Sequence, residues 1–115
     1  MAKVIPDSIR AQCERKGGMR GIKARLLSDN EIKRQSKLCQ ALSDHQRLKI
    51  LFILVEQPLC VCLIKEFVRI ADSKLSYHLA ILKKAGLIKS SQRGSWIIYE
   101  PTQRGKRLSQ TLGAF

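Results

Sequence analysis

One strongly apolar segment near the middle of the sequence limits what the chain can fold into. The longest run of consecutive apolar residues is the six-residue stretch Ile50–Val55. Leu48, Leu51, Phe52 and Val55 fall at i, i+3, i+4 and i+7, and the positions between them are mostly apolar, which is typical of a core helix. Six residues are far fewer than the roughly 20 that a membrane-spanning helix needs. The segment therefore predicts the central helix of a packed core and excludes membrane insertion.

Length and charge narrow the function. With 115 residues, 44% of them apolar, the chain suits one domain with a modest core and is too short for a two-domain enzyme. Its 22 Lys and Arg against 9 Asp and Glu give a net charge of +13, which predicts a polyanionic partner, nucleic acid before an anionic membrane surface. We expect no enzyme, because the sequence has no Gly-rich phosphate loop, no Ser/His/Asp set and no carboxylate pair at useful spacing.

The positive charge is concentrated at the two ends of the chain. Residues 1–27 hold seven basic and two acidic side chains, and they predict a basic N-terminal arm with at most a short helix over Ser8–Lys16. That arm is either functional or simply a solvated tail. The first 30 residues contain no apolar segment of the kind that signals secretion, so we expect a cytoplasmic protein. Residues 28–115 form the expected domain.

Capping signals divide that domain into helices. Ser28 with Glu31 has the spacing of a capping box and predicts a helix that ends at Leu42. Ser43 with Gln46 has the same spacing and predicts the start of the central helix.

Two further helices are predicted in the next part of the sequence. The first runs from about Leu59 to Val68 after Pro58, which allows a fresh start. The second runs from Ser73 to Ala85, and Gly86 occupies the position where helices commonly end. A tight turn separates the two helices.

The pattern changes from helical to extended after this point. Residues 87–91 and 96–100 are two β-prone runs around the turn 92–95, and they predict a hairpin. Pro101 ends the hairpin, and Thr102 caps a last helix to Leu112. The predicted fold is mainly α with a small β-hairpin, in the order α-α-α-α-β-β-α. Two short helices followed by a basic hairpin are typical of a winged helix-turn-helix.

The helix over Ser73–Ala85 has the division of faces that a helix in the major groove needs. Leu75, Leu79 and Leu82 fall on one face at about 100° per residue, and short polar and cationic residues lie opposite. An ordinary amphipathic surface helix has the same division, but the basic hairpin that follows favours DNA binding. The candidate DNA-binding residues are Ser73, Lys74, Ser76, Tyr77, His78, Lys83 and Lys84 on the helix and Lys89 and Arg93 in the hairpin.

Two of the aromatic positions near this surface have alternative roles. His78 lies at the edge of the apolar face, where it is either a packed boundary residue or a DNA contact. Trp96 and Tyr99 point to opposite faces of one strand, so at most one of them packs inward. We expect Trp96 to join the hairpin to the core, with a stacking platform as the alternative.

Several segments occur in order at the spacing of a known family. They are Ala41–Asp44, Arg47–Leu51, Cys60-Val61-Cys62, Ser73–Leu79, Ala85–Ile88 and the stretch from Arg93-Gly94 to Tyr99. Over about residues 30–100 the chain resembles the arsenic-repressor (ArsR/SmtB) family of bacterial and archaeal metal-sensing repressors. The resemblance implies a homodimer joined through the first and last helices of the domain. It also implies that the fourth helix and the hairpin bind operator DNA and release it when an inducer binds.

The chain has four cysteines, Cys13, Cys39, Cys60 and Cys62, which we expect to be reduced thiols. Residues two apart on a regular helix diverge by about 200°, so Cys60 and Cys62 can share an ion only if the helix start is distorted. Pro58 makes such a distortion plausible, and a helix dipole would lower both thiol pKa values. Two small buried hydrophobic residues are the alternative, but the resemblance favours a sensor site for a soft ion.

The sequence departs from the family at several ligand positions. The arsenic-type motif often reads C-V-C-D-L-C, whereas Leu63 and Lys65 stand in place of its Asp and third Cys. Cys13 is a candidate for a further ligand, as arm cysteines are in cadmium- and lead-sensing relatives, and we expect Cys39 to be a packing residue rather than a redox partner. Residues 101–115 contain no His, Asp or Glu, so the zinc site that some relatives have on the last helix is not expected.

These observations lead to one main hypothesis and several competitors. The main hypothesis is a cytoplasmic, dimeric repressor that needs no cofactor and leaves double-stranded operator DNA when arsenite, Cd, Pb or Zn binds Cys60 and Cys62. A repressor that responds to thiol oxidation or persulfide, and a winged helix without small-molecule input, are alternatives within DNA binding. A winged helix that binds RNA or docks on a protein is the alternative from another class.

Overall fold

The structure is a computed structural model that describes residues 4–114. The first three residues of the predicted arm and the last residue of the predicted domain lie outside the described residues. The chain divides after Arg34 into two compact units, which we describe separately. The boundary predicted after residue 27 stays a prediction.

The N-terminal unit contains two short helices, α1 (Asp7–Arg15) and α2 (Gly18–Arg25). The expectation of at most one short helix here is therefore wrong. Gly17, which caps α2, and Gly18, its first residue, adopt φ values of 86° and 69°, a conformation that glycine takes at little cost, and the chain turns there between α1 and α2. The sequence did not indicate α2, because a cluster of glycines ordinarily lowers helix propensity.

Helix α3 (Asp29–Ala41) contains the division between the two units and starts where its capping box predicts. The backbone N–H of Glu31 donates to the Ser28 hydroxyl oxygen at 3.2 Å, which confirms the predicted cap. At its other end, Leu38 packs against the core and Ala41 is buried within it.

Helix α4 (His45–Glu56) forms the centre of the core, as predicted, but begins differently. Its cap is Asp44 and not Ser43, because the Asp44 carboxylate accepts backbone hydrogen bonds from Gln46 at 2.8 Å and from Arg47 at 3.2 Å. One aspartate thus satisfies two of the free donors of the first turn.

The next segment corrects the prediction of a helix from about Leu59 to Val68. The chain forms a two-residue strand, β1 (Leu59–Cys60), and then a single helical turn, α5 (Val61–Ile64). Strand β1 pairs with a later strand, Leu59 opposite Tyr99 and Cys60 opposite Ile98. A strand of two residues has no periodicity, so only this distant pairing defines it.

The remaining elements follow the predicted order. They are α6 (Asp72–Lys84), β2 (Ile88–Arg93), β3 (Trp96–Pro101) and α7 (Gln103–Gly113). Gly86 follows α6 with φ 75°, and the Thr102 hydroxyl oxygen caps α7 by accepting from the Gly105 backbone N–H at 3.1 Å. The sheet is antiparallel with strand order β1-β3-β2, so the predicted hairpin gains a third strand. The fold is a mainly helical winged helix-turn-helix.

The core of the C-terminal unit surrounds α4. Ile50, Leu51 and Leu54 have no exposed surface, whereas Phe52 on the same helix remains 36% exposed. The other buried apolar residues come from the surrounding elements: Ala41, Ile64, Val68, Leu75, Leu79, Leu82, Leu87 and Ile88. No helix within residues 4–114 is long and apolar enough to cross a bilayer.

A close approach between α7 and the backbone of Leu87 predicts a strong mutational effect. Gly105 of α7 is buried, and a Cβ added there would overlap the Leu87 carbonyl oxygen and lie 3.2 Å from Leu51 Cδ1. We expect Gly105→Ala to lower the free energy of unfolding by about 2 kcal/mol or more. The Leu87 carbonyl oxygen is a backbone atom, so it cannot move aside without shifting the chain around it.

Urea denaturation followed by circular dichroism measures this loss. Gly113→Ala on the same helix is the matched control, since its Cβ would meet only Phe52 Cε1 at an ordinary 3.7 Å. That variant should stay within about 0.5 kcal/mol of the parent. Equal unfolding midpoints for the two variants would contradict the packing described for α7.

Candidate nucleic-acid interface and thiol pair

Helix α6 separates a buried face from an exposed polar face. Leu75, Leu79 and Leu82 are buried as predicted, with exposures of 0–3%. The opposite side is exposed and carries the candidate DNA-binding residues Ser73, Lys74, Ser76, Tyr77, Lys83 and Lys84. Tyr77 keeps 61% of its surface in solvent. The helix therefore offers hydroxyl groups and cations to a partner.

The β2–β3 hairpin, called the wing from here on, extends this cationic surface. Lys89 and Arg93 are exposed on β2. The Lys89 ammonium lies 3.4 Å from a Glu100 carboxylate oxygen, whereas no carboxylate within residues 4–114 forms an ion pair with Arg93. The Lys83 ammonium donates to the Ser90 hydroxyl at 2.8 Å and so ties the end of α6 to the wing.

Of the two aromatic residues of the wing, Tyr99 and not Trp96 packs inward. Tyr99 packs against the core, whereas Trp96 is 57% exposed. The predicted contact of Trp96 with the core is therefore wrong. The alternation of side chains along β3 requires that result, because the two residues are three apart and Tyr99 takes the inward face.

His78 does not fit the predicted role of a DNA contact. Its side chain is 2% exposed, so the ring cannot reach a base or a phosphate in this conformation. Its Nδ1 atom lies 3.1 Å from an Arg47 guanidinium nitrogen, which can only donate. Nδ1 must therefore accept, and in the neutral ring the proton is on Nε2. His78 is the packed boundary residue of the two alternatives.

The His78 ring forms a polar cluster with Asp44 and Arg47. The Arg47 Nε–H also donates to the Ala41 carbonyl oxygen at 2.6 Å, and His78 Nε2 lies 3.9 Å from the Asp44 carboxylate without a hydrogen-bond partner. Burial lowers the pKa of His78; the charges of Arg47 and Lys74 add to this effect and Asp44 opposes it. The pKa of Asp44 is lowered chiefly by the hydrogen bond from the Arg47 backbone.

Cys60 and Cys62, called the thiol pair, lie at the junction of β1 and α5. Their Sγ atoms are 3.7 Å apart, because Cys60 is in extended backbone and only Cys62 is helical. This junction supplies the distortion that the spacing requires. Two ligands of a tetrahedral ion with Zn–S bonds of about 2.3 Å are about 3.8 Å apart, so the two sulfurs already have the separation of two ligands of one soft ion.

The two thiols differ in acidity. The pKa of Cys60 is lowered, chiefly by the backbone N–H of Leu63, which stabilises its thiolate. The pKa of Cys62 is raised, chiefly by the hydrogen bond between its thiol and the Cys60 sulfur. The expectation that a helix dipole lowers both values is therefore wrong for Cys62, because the pair shares one hydrogen bond in which only one member can be the acceptor.

The other two cysteines stand apart from this pair in the chain. Cys39 is exposed on α3, so the predicted packing role is wrong, and Cys13 is half-buried on α1. Residues 4–114 contain no group of three or more His, Cys, Asp or Glu side chains that could hold a metal ion. Cys13 as a further ligand stays a prediction.

The polar cluster around His78 was not predicted from the sequence. Its only sequence signal is the i, i+3 spacing of Asp44 and Arg47 at a helix start. His78 is 31 residues from Arg47, and nothing local indicates that the two meet.

Comparison with known proteins agrees with this arrangement. Residues 44–90, from the cap of α4 to the start of the wing, match the family described as "Bacterial regulatory protein, arsR family". The arsenical resistance operon repressor of Bacillus subtilis is 37% identical over 70 residues, which are 60% of this chain and 67% of that protein. An uncharacterised HTH-type transcriptional regulator of Methanocaldococcus jannaschii is also 37% identical over 70 residues, which are 79% of its length.

A solved structure supports the same fold. The homodimeric winged helix-turn-helix DNA-binding domain of Mb0332 from Mycobacterium bovis superposes with a TM-score of 0.68 at 22% identity, covering 78% of this chain and 87% of that one. Fold and relatives together define a transcriptional regulator with a DNA-binding winged helix. The chain belongs to the arsR family of bacterial regulatory proteins.

The buried ring of His78 predicts how stability depends on pH. Because its pKa in the folded state lies below the ordinary 6.5, the unfolded state takes up the proton first as the pH falls. The contribution of His78 to stability is therefore complete above pH 6.5 and decreases as the pH falls toward its folded-state pKa. We expect His78→Gln to reduce the loss of unfolding free energy between about pH 7.5 and about pH 5.5.

Urea denaturation at a series of pH values measures this dependence. His45→Gln is the control, because His45 is the other histidine of the chain and lies exposed at the start of α4. That variant should keep the pH dependence of the parent. If the unfolding free energy of His78→Gln depends on pH as that of the parent does, burial of this ring does not govern the pH dependence.

Proposed function

We propose that the protein is a cytoplasmic homodimeric repressor that binds operator DNA and releases it when a thiophilic ion binds the thiol pair. The observation that carries the proposal is the 3.7 Å separation of the two Sγ atoms beside the DNA-binding elements. Soft thiolates favour arsenite, Cd(II), Pb(II) or Zn(II) over hard ions. One relative is an arsenical resistance operon repressor, which supports the same class of inducer.

The DNA-binding part of the proposal rests on the exposed face of α6 and on the wing. The residues proposed to contact operator DNA are Ser73, Lys74, Ser76, Tyr77, Lys83, Lys84, Lys89 and Arg93, which are all exposed. The hydroxyl groups suit base edges and phosphates, and the cations suit phosphates. Two copies of α6 in a dimer would enter successive major grooves about 34 Å apart on a pseudo-palindromic site.

The proposed dimer joins through α3 and α7. An open groove of about 290 Å³ lies between these helices and is lined by Leu38 and Leu108 together with polar side chains. Phe52 and Leu112 keep 36% and 37% of their surface exposed, which leaves apolar surface on α4 and α7. Burial of such surface against a second copy is favourable, and the structurally similar Mb0332 domain is homodimeric.

Two connections support communication between the thiol pair and the DNA-binding elements. Cys60 is paired with Ile98 in β3, so a shift of Cys60 is passed to the wing. An ion pair between Lys65 and Asp72 joins the end of α5 to the start of α6. We therefore propose that rearrangement at the thiol pair moves α5 and shifts α6 against its dimer mate, so that the spacing of the two copies no longer fits the operator.

A redox response is the second candidate, because the same proximity of the sulfurs suits disulfide formation. An oxidant would take two electrons and two protons from the thiol pair as the S–S bond forms. Mass spectrometry separates the two candidates, since a linked pair is two daltons lighter than the two thiols and an ion-bound pair is not linked.

Replacement of both thiols tests the proposed sensor. Arsenite or Cd(II) should dissociate the parent protein from a labelled duplex of the DNA upstream of its own gene. We expect Cys60→Ser with Cys62→Ser to bind this duplex equally well without the ion and to lose the response by about tenfold or more, because the soft ligands are gone. Fluorescence anisotropy of the duplex measures both quantities.

Cys39→Ser is the matched control, since it removes an exposed thiol outside the pair. It should respond to the ion like the parent. If the double variant releases DNA at the same arsenite concentration as the parent, the thiol pair is not the sensor. If no variant binds duplex above the level of random DNA, the proposed repressor function is wrong.

A further inference from the structure

The outer surface of the wing carries an aromatic side chain that neither the core nor the thiol pair uses. We propose that Trp96 is a DNA contact, whose indole enters the minor groove next to the major groove that α6 occupies. The inference rests on the proposed function and names a residue of the same interface. It starts from the register of the sheet.

The register places Trp96 on the outer face of the wing. In the β2–β3 ladder Arg93 is opposite Trp96, and Ile88 is opposite Pro101. Ile88 and Pro101 are buried, so their face of the sheet is the inner one. Side chains alternate along a strand, and Trp96 is an odd number of residues from Pro101. Its indole therefore points away from the core, beside the side chain of Arg93.

This position leaves a large apolar side chain in water. Trp96 keeps 57% of its surface exposed, which makes it one of the most exposed large apolar side chains of the C-terminal unit. A single exposed apolar residue needs no partner by itself. The neighbouring charge does indicate a partner for Trp96. Arg93 has no ion pair within residues 4–114, so it adds an unbalanced positive charge at the wing tip.

An indole beside a free guanidinium suits duplex DNA in particular. The guanidinium can bind a phosphate, and an apolar side chain in the minor groove packs against deoxyribose and base edges. The indole N–H can also donate to the acceptors that line the floor of that groove.

A hydrogen bond joins the end of α6 to the wing. The Lys83 ammonium at the end of α6 donates to Ser90 on β2 at 2.8 Å, and Ser90 is paired with Tyr99 on the strand of Trp96. The wing therefore lies beside the end of α6, and a duplex with α6 in its major groove has the neighbouring sugar-phosphate backbone on the side of the wing. Continuity with the proposed interface selects duplex DNA rather than another polyanion as the partner.

Trp96 is the only tryptophan of the chain, so its fluorescence reports this contact directly. The full-length protein is titrated with the upstream duplex, and the anisotropy of a labelled strand is followed in parallel. We expect tryptophan emission to be quenched in proportion to the bound fraction, and the bound indole to be protected from acrylamide. Unchanged emission and acrylamide quenching in a saturated complex would overturn the proposal for Trp96 while the proposed function stands.

Variants separate an apolar contact from a charge contact. Trp96→Ala should weaken binding by about tenfold without changing the salt dependence, because no charge is removed, and Trp96→Phe should restore part of the loss. Arg93→Gln should instead lower the slope of log affinity against log salt by about one. Thermal melting of each variant checks that the fold is retained.

Ile97→Ala is the matched control, since Ile97 is the next residue on the same strand, points to the other face and is 50% exposed. It should bind DNA like the parent. If Trp96→Ala and Ile97→Ala bind equally well, the indole makes no contact and the inference is wrong. Absence of duplex binding by the parent protein would instead refute the proposed function, and with it this inference.

Discussion

The side chain of Arg47 holds together the three helices on which the DNA-binding surface is built. It belongs to α4, donates to the carbonyl oxygen of Ala41 at the end of α3, and donates to the ring of His78 on the inner face of α6. Its backbone N–H is fixed by Asp44. Together with the buried leucines of α6, this guanidinium restricts the rotation of the helix about its own axis. If α6 turned by one residue, His78 would leave its partner and leucines would meet the solvent.

This arrangement places polar groups where burial costs free energy, and hydrogen bonds to neighbouring groups offset that cost for most of them. Arg47 is satisfied by backbone and imidazole acceptors, whereas His78 keeps one ring nitrogen without a hydrogen bond. Apolar contacts keep the leucine face of α6 turned inward but tolerate small rotations about that orientation. A directed hydrogen bond tolerates only one, because its strength falls steeply with misalignment. The cluster therefore gives a defined orientation to the face that carries Tyr77 and the lysines.

Local signals predicted much of the fold, and distant contacts account for what they missed. Ser28, Thr102 and Gly86 act within a few residues of their own positions, so the helix ends they mark could be read from sequence. Strand β1 exists only because Leu59 pairs with Tyr99, and no window of sequence contains both. Helix α2 needed two residues with positive φ that propensity alone counts against a helix.

The candidate site shows the same contrast between features set by local sequence and features set by distant contacts. The exposed side chains of α6 could be predicted because amphipathic spacing is a local property. His78 could not be assigned, since it lies at the edge of the apolar face and a residue on another helix decides its direction. The separation of Cys60 and Cys62 was also out of reach, because it depends on a strand ending between them.

That short strand has a consequence for how the molecule can change. Strand β1 joins the sheet through only two residue pairs, at the edge, next to the sulfur atoms. Detaching so short an edge breaks few backbone hydrogen bonds and takes only Leu59 away from the core, so it costs far less than unfolding. The sheet is therefore held least firmly on the side of the thiol pair, so a change at the two sulfurs meets less backbone resistance there than anywhere in the β2–β3 ladder.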